Sequence, residues 1–569
     1  MARVGLCIDR AGALISPVLC NQIAEFSGGI PQIAFSMVEE DLLAPEALGR
    51  LTEQLKTHGA ERAILLGGSP KRYEASFNKF GHSVILNPYL ITVLPLTPLM
   101  EKGLGEERAF ERIKNAMLRA ISVALRSNPI DHQSLPLKRE VLVLGGGVAG
   151  LSVALTLARS GISVHLLEKK DRLGGRASHL RFFYHRSENA QRWLEGLIAE
   201  VDRHPLITVH LGTELKRVEG HFGRFQAKVR RADGTEQLLS SAAIIVATGV
   251  EVHSERAGIY AHRSFVSPEE MEKLLAESEA PSFYWNGKRA EAVTFVLDQV
   301  NLDLKLDAIH MMKQALLLQE TFQCQTTILC KEVKVSADGM ERLYRRARQQ
   351  GALVVKYSDP PKFSIVNGRI RVDVKDTSAI RKEEEQSLSI LSDLVVMSEP
   401  ILPGGDTELL SRKLGLCLGD RGFLIEDNPQ FFRVRSNRRG IVVAGGCRFP
   451  QELSETLIEA EAAAQEVIKL LSGGTYEYDL AVAEVDPKKC AVCYTCPRLC
   501  PHSAITVEKY AERNVYLTAG AGEGQKWGAA KVDPVACYGC GICVGECPAK
   551  AITLRHLTDE QIYAQMGLG

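Results

Sequence analysis

Three patterns of apolar and polar positions divide this chain. Up to about residue 137, Ala63–Leu66 is a short apolar run that predicts a buried strand, and Gly105–Leu125 carries apolar residues at helical spacing. Val84–Met100 is the most apolar early stretch. Pro88, Pro95 and Pro98 interrupt it, so it predicts buried strand and loop rather than a membrane span. Asn128-Pro129 and Leu135-Pro136 then read as a linker. From Glu140 to about Leu471, apolar runs suited to strands alternate with helical segments, the pattern of a parallel α/β sheet. Ser472-Gly473-Gly474 breaks that pattern, and a third unit follows from about Tyr478.

Two turns carry chemistry in the middle unit. The apolar strand Val141–Leu144 runs directly into Gly145-Gly146-Gly147-Val148-Ala149-Gly150, and Leu151–Arg159 continues as a helix. Gly145, Gly147 and Gly150 fill G-x-G-x-x-G: a tight turn, close backbone approach to a pyrophosphate, and close packing of helix on strand. The unpaired N–H groups of the helix start suit the phosphates. A second strand, Ser163–Leu167, ends at Glu168, whose carboxylate can accept the hydroxyls of an adenosine ribose. Gly174-Gly175-Arg176, the Ala247-Thr248-Gly249 turn after Ile244–Val246, and Gly440–Gly446 follow in order. These four spaced motifs resemble the two-dinucleotide-binding flavoproteins, which implies FAD. Candidate FAD contacts are Gly145, Gly147, Val148, Ala149, Gly150, Glu168, Lys169, Gly174, Gly175, Arg176, Leu215, Ala247, Thr248, Gly249, Gly445 and Gly446. Gly446 departs from the resemblance, which places an aspartate there. In that superfamily a second nucleotide domain interrupts the first. Glu291–Asp298 supplies its expected strand, but Gln299–Leu306 contains no glycine to admit a pyrophosphate, so no NAD(P)H binding is expected there.

Charge and cysteine usage narrow the class. Lys and Arg number 69, as do Asp and Glu, which gives no footprint for nucleic acid. Of 14 cysteines, Cys7, Cys20, Cys324, Cys330, Cys417 and Cys447 are scattered, and the rest form two runs. Clustering of this kind in a large chain whose start shows no secretory signal points to metal in a reducing, cytoplasmic compartment. Cys490-x2-Cys493-x2-Cys496-x3-Cys500-Pro501 is repeated as Cys537-x2-Cys540-x2-Cys543-x3-Cys547-Pro548. This matches the run of two-cluster bacterial ferredoxins, in which the fourth cysteine serves the other cluster. Two 4Fe–4S clusters are expected, one on Cys490, Cys493, Cys496 and Cys547, the other on Cys537, Cys540, Cys543 and Cys500. Zinc is the competing reading of C-x2-C pairs, but each run has three tight ligands and a displaced fourth. The glycine-rich segment Ala519–Gly528 reads as an exposed insertion. Cys447 reads as a buried small residue, and His179 and His185 as surface or packing residues.

With these motifs in place, the chain resembles the A subunits of heterodisulfide reductases. Ser69-Pro70-Lys71-Arg72 and Asn87-Pro88-Tyr89-Leu90 resemble the N-terminal domain of that family, Lys313-Gln314-Ala315-Leu316-Leu317-Leu318 its central helix, and Gly440–Ala464 its flavin-closing segment. The resemblance implies an electron-transfer oxidoreductase component of a multi-subunit complex in anaerobic metabolism. Its FAD would pass electrons among clusters, partner redox subunits (heterodisulfide reductase B/C-like, hydrogenase or dehydrogenase) and ferredoxin, in some members with electron bifurcation. It also implies an α/β fold. A Rossmann-type FAD domain (138–282 and 401–475) is interrupted by a second nucleotide-binding-like domain (283–400), after an α/β N-terminal domain (1–137) and before a ferredoxin-like α+β domain (478–569). Asp9 and Gly68 stand where the family has cysteines, so no N-terminal cluster is expected. Gln451 replaces a lysine expected near the isoalloxazine, removing a cation that would favour the anionic reduced flavin. Two rival readings are an NAD(P)H:ferredoxin-type oxidoreductase and a non-catalytic electron-transfer adaptor.

Overall fold

A computed structural model describes the chain except 1–2, 14, 74–86, 101–104, 182, 184–188, 254–255, 298–303, 378–385, 510–527 and 568–569. It forms two compact units: 1–134 with 477–569, and 135–476.

In the first unit the strand Val4–Asp9 is buried at every position, as a central parallel strand must be. It pairs in parallel with Ile33–Glu39 on one side and Arg62–Gly67 on the other, and Ile91–Pro95 forms the outer strand. The last of these is half-buried rather than buried as its apolarity suggests, because it is an edge strand. Helix Glu106–Arg126 covers the sheet with Ala109, Ile113, Met117, Ala120, Ile121 and Ala124 turned inward. The chain's last helix, Asp559–Met566, starts in a capping box at Thr558 and Gln561. Gln561 Nε2 donates to Arg126 O over 3.0 Å, tying the cysteine-rich module to the N-terminal domain within this unit. At the ends of two central strands, the fully buried Asp9 accepts from Tyr73 Oη (2.6 Å) and Leu42 N (3.2 Å), and Gly68 N donates to Tyr73 Oη (3.0 Å). Both positions that depart from the family's cysteines are therefore joined through one tyrosine.

The second unit holds two parallel sheets. The first runs, in spatial order, Ile441–Val443, Ala243–Val246, Glu140–Leu144, Ser163–Leu167, Ile207–His210. The chain leaves this sheet after Val246 and returns to pair Ile441 with Ile244. Between those points it builds the second sheet, ordered Phe265–Val266, Leu394–Met397, Ala292–Val296, Gln325–Cys330, Leu353–Lys356. A three-stranded antiparallel sheet accompanies each, Thr213–Glu219 through Ser241 and Lys362–Val366 through Ser392. The fold is thus α/β, with one Rossmann-type sheet interrupted by another. No helix among the described residues is long and apolar enough to cross a membrane.

Candidate functional site

The first site is a cleft of about 260 Å³ at the carboxyl ends of the first sheet. Its floor is the turn after Glu140–Leu144. Gly145 has φ +109°, and a Cβ there would stand 2.3 Å from Ala247 O. A Cβ on Gly150 would stand 1.8 Å from Gly145 O, so the helix Val148–Arg159 seats this closely only without one. At Gly147 a Cβ would meet nothing nearer than Gly175 Cα, at 4.0 Å. The space above this glycine is open to a ligand, whereas those above Gly145 and Gly150 are filled by protein. Gly174 N donates to Gly146 O over 2.8 Å, so the second glycine doublet is bonded directly to the first turn.

Glu168 is buried, and each of its oxygens accepts one backbone N–H: Gly146 N at 2.7 Å and Lys170 N at 2.8 Å. Each keeps acceptor capacity for a ribose hydroxyl. Lys169 beside it lies 3.4 Å from both Glu251 and Asp406. Val148, Ala149, Arg176, Ala247, Thr248, Gly249 and Gly446 also line the cleft. Thr248 Oγ1 and Gln451 Oε1 are buried without a hydrogen-bond partner, as polar atoms are at a site shaped for a ligand. An open glycine turn, a buried carboxylate and these two atoms fit a dinucleotide.

Leu215 is a correction. In Thr213–Glu219 the alternation turns Leu215 into the apolar core with Phe225 and Leu239, and it does not line the cleft. Gly445 also stands back from the cleft wall. It has φ +74°, and its N–H donates to Glu459 Oε2 over 2.8 Å. The same carboxylate accepts from Arg448 Nε (2.7 Å) and Gln451 Nε2 (2.5 Å). Glu459, from helix Leu453–Leu471, thus braces the closing turn in which Gly446 lacks a side chain. His179 lines the cleft, 3.8 Å from Glu269, rather than facing solvent alone. His185 lies outside the described residues, as do Asp298 to Asp303 and all of Ala519–Gly528 except its last residue. Cys447 is fully buried with its thiol 3.2 Å from Val246 O and Ala444 O, and burial pushes its pKa up to about 12.

The opposite wall comes from helices Pro268–Glu277 and Leu304–Phe322 and carries buried charge. Lys313 Nζ donates to Glu272 Oε1 over 2.8 Å, with side chains 9% and 3% exposed. Arg181 N (2.7 Å) and Gln314 Nε2 (3.0 Å) complete the carboxylate's partners. Burial works to raise the Glu272 pKa, but Lys313 and these donors hold it below the ordinary carboxylate value. His310, one turn away, is pushed down to about 3 by burial and by Lys313 and Arg176, so it is neutral. Lys313 is marked in the sequence by the helix motif that contains it; its partner Glu272 carries no signal there.

The second site is the cysteine-rich module. Cys490, Cys493, Cys496 and Cys547 surround one cavity, and Cys500, Cys537, Cys540 and Cys543 another. The fourth cysteine of each run therefore lies with the other run's first three. Among the described residues no three Cys, His, Asp or Glu close on a point as single-ion ligands do. The thiols instead ring a space, which suits a multi-atom cluster. The two halves repeat in backbone as well as sequence. Val492, Tyr494 and Ser503 have φ of 55°, 60° and 52°, and their counterparts Gly539, Gly541 and Lys550 have 65°, 80° and 48°. Ala504 N donates to Cys500 Sγ and Ala551 N to Cys547 Sγ, both at 3.3 Å.

The geometry has counterparts in known proteins. Residues 143–198 match the family model of the NAD(P)-binding Rossmann-like domain, and 483–551 that of the 4Fe-4S dicluster domain. A protein of Archaeoglobus profundus described as like the heterodisulfide reductase A subunit is 24% identical over 90% of this chain and 92% of its own. The iron-sulfur A subunit of the CoB–CoM heterodisulfide reductase of Methanocaldococcus jannaschii is 24% identical over 89% and 91%. Among solved structures, T. acidophilum thioredoxin reductase aligns over 58% of this chain and 99% of its own, at 17% identity and a TM-score of 0.41. The similarity to heterodisulfide reductase A subunits thus spans both sites and the sheet before them.

Proposed function

We propose that this heterodisulfide reductase A-like chain is an electron-transfer oxidoreductase subunit that holds one FAD in its glycine-turn cleft and two 4Fe–4S clusters in its cysteine module. The observation that carries the reading is the pairing, on one chain, of an open dinucleotide turn with two rings of four thiols. FAD exchanges electrons in pairs and each cluster one at a time, so a chain with both can step between two-electron and one-electron partners.

The chain's own residues supply position and electrostatics. Gly147 and the start of helix Val148–Arg159 receive the pyrophosphate, and Glu168 the ribose. Glu459 fixes Gly445 and Gln451 so that the closing turn keeps its shape without an aspartate at Gly446. On the far wall Lys313 places a buried cation facing the cleft, compensated by Glu272 rather than by water. That cation offsets part of what is lost where Gln451 replaces lysine. Partner redox subunits deliver and remove the electrons. NAD(P)H is not a direct donor in this reading, since no glycine follows the strand Ala292–Val296 before helix Leu304–Phe322.

Anaerobic purification followed by flavin and iron assay tests the reading. About one flavin and about eight irons per chain are expected. About four irons, or zinc in their place, would refute the two-cluster assignment. A folded protein without flavin that takes up none on addition of FAD would refute the other half.

A further inference from the structure

The two halves of the cysteine module share a backbone but not a surface. Asp486 and Asp533 play the same part in each, capping Lys488 N (2.8 Å) and Val535 N (2.9 Å) and leading into Cys490 and Cys537. Around this common frame the charges differ. The first half carries Lys488, Lys489 and Arg498, all exposed; the matching positions of the second are Val535, Ala536 and Gly545. Where the first half has the exposed Leu499, the second has Glu546. The sole acid in the first half's run is Asp486, 3.9 Å from Lys489 and already engaged in its cap. Cations therefore gather on the elements that supply Cys490, Cys493 and Cys496.

Exposure distinguishes the halves further. Cys493 is exposed, and Tyr494 and Leu499 beside it are exposed apolar groups. The second half also exposes Cys540, but its turn is backed from within the unit. A Cβ on Gly539 would lie 3.1 Å from His556 Cε1, and the His556 ring packs edge-on against Tyr89 of the N-terminal domain, 6.3 Å between centroids. Tyr538 is itself stacked on His502 at 4.1 Å. One end of the module is thus partly occupied by protein. The other presents apolar groups and an exposed ligand-type cysteine among positive charges.

We propose that the Cys493 end is the docking port for a small acidic iron–sulfur protein, which exchanges single electrons with the module there. An exposed cysteine of a cluster site gives the short path that electron exchange needs. Tyr494 and Leu499 supply a modest apolar contact, and Lys488, Lys489 and Arg498 steer an acidic partner into it. Surface charges act chiefly on association and are screened by salt, as suits a transient electron-transfer contact. The proposal rests on the cluster-bearing reading above.

The test uses the full-length protein with its clusters in place, checked by iron content for wild type and every variant. Anaerobic calorimetric titration with an oxidised acidic two-cluster bacterial ferredoxin gives binding without turnover. Wild type is expected to bind more weakly as salt rises from low to about physiological ionic strength, over which the screening length falls to ~8 Å. The double variant K489E/R498E is expected to bind about tenfold more weakly at low salt, two reversed surface charges each being worth up to ~1 kcal/mol. Lys550→Glu, on the second half, is expected to leave affinity unchanged. Equal weakening by both, or no effect of the double variant with iron content intact, would overturn the port while leaving the cluster reading standing. Absence of iron from wild type would overturn the cluster reading itself. If K489E/R498E instead dissolves self-association and leaves ferredoxin binding untouched, the surface joins copies of this chain and the proposal fails.

Discussion

Removing Lys313 should expose how the far wall of the cleft is balanced. In Lys313→Met the Glu272 carboxylate keeps Arg181 N and Gln314 Nε2 but loses its cation, at a position 3% exposed. Breaking one side of a buried pair costs about 3–5 kcal/mol. Protonation sets a ceiling. Neutralising a carboxylate of ordinary pKa ~4.3 at pH 7 takes about 2.7 units at ~1.4 kcal/mol each, or about 4 kcal/mol. The loss at pH 7 should therefore be about 3–4 kcal/mol. The sign with pH follows. In wild type the Glu272 pKa is lowered, so its contribution is fully present above the unfolded carboxylate pKa and is lost only as pH falls through the folded value. In the variant, acid supplies the missing proton, so the penalty should shrink by ~1.4 kcal/mol per pH unit, to about 1 kcal/mol at pH 5. Relief of His310, which Lys313 helps to push down, acts in the same direction. The assay is urea denaturation of the flavin-free chain in a Trp527→Phe background, so that Trp193 and Trp285 report the middle unit. The double variant E272Q/K313M should recover most of the loss. A penalty below ~1 kcal/mol at pH 7, one equal at pH 5 and 7, or a double variant as unstable as the single would refute the reasoning.

Two further outcomes follow from the cleft. Gly147→Asp places a carboxylate in the one open glycine position of the turn, so the clusters should persist and FAD should be lost; a folded variant with stoichiometric FAD would place the nucleotide elsewhere. Cys447, fully buried with its thiol pKa pushed up to about 12, should resist alkylation by iodoacetamide in the native protein at pH 8, while exposed Cys417 reacts; mass mapping of the labelled peptides decides it.

What the sequence disclosed and what it withheld divide along a physical line. The glycine turn, Glu168 and the cysteine runs were legible because their spacing is itself the constraint: Gly150 must lie where Gly145 O approaches to 1.8 Å of a would-be Cβ. The far wall was hidden because its partners are 41 residues apart. Glu272 sits in Pro268–Glu277 among charges that read as a solvated helix face, and only packing against Leu304–Phe322 buries it. Glu459 was hidden likewise on an Ala- and Glu-rich helix. Leu215 was misplaced because a strand's period of two, not its distance from the glycine turn, decides which way a side chain faces. The joining of chain beginning and ferredoxin module into one unit depends on contacts such as Gln561 with Arg126, 435 positions apart, which no local pattern encodes.

That joining has a topological consequence. Residues 135–476 are an insertion within the cluster-bearing unit, and Leu137 N donates to Gly474 O over 2.9 Å, so the folded insertion brings its own entry and exit together. Should it unfold, the host would have to close on a floppy loop of ~340 residues, an entropic tax on the order of 5 kcal/mol by the logarithmic law. Occupancy of the nucleotide cleft would then protect the thiol rings from melting across a distance, through chain connectivity alone.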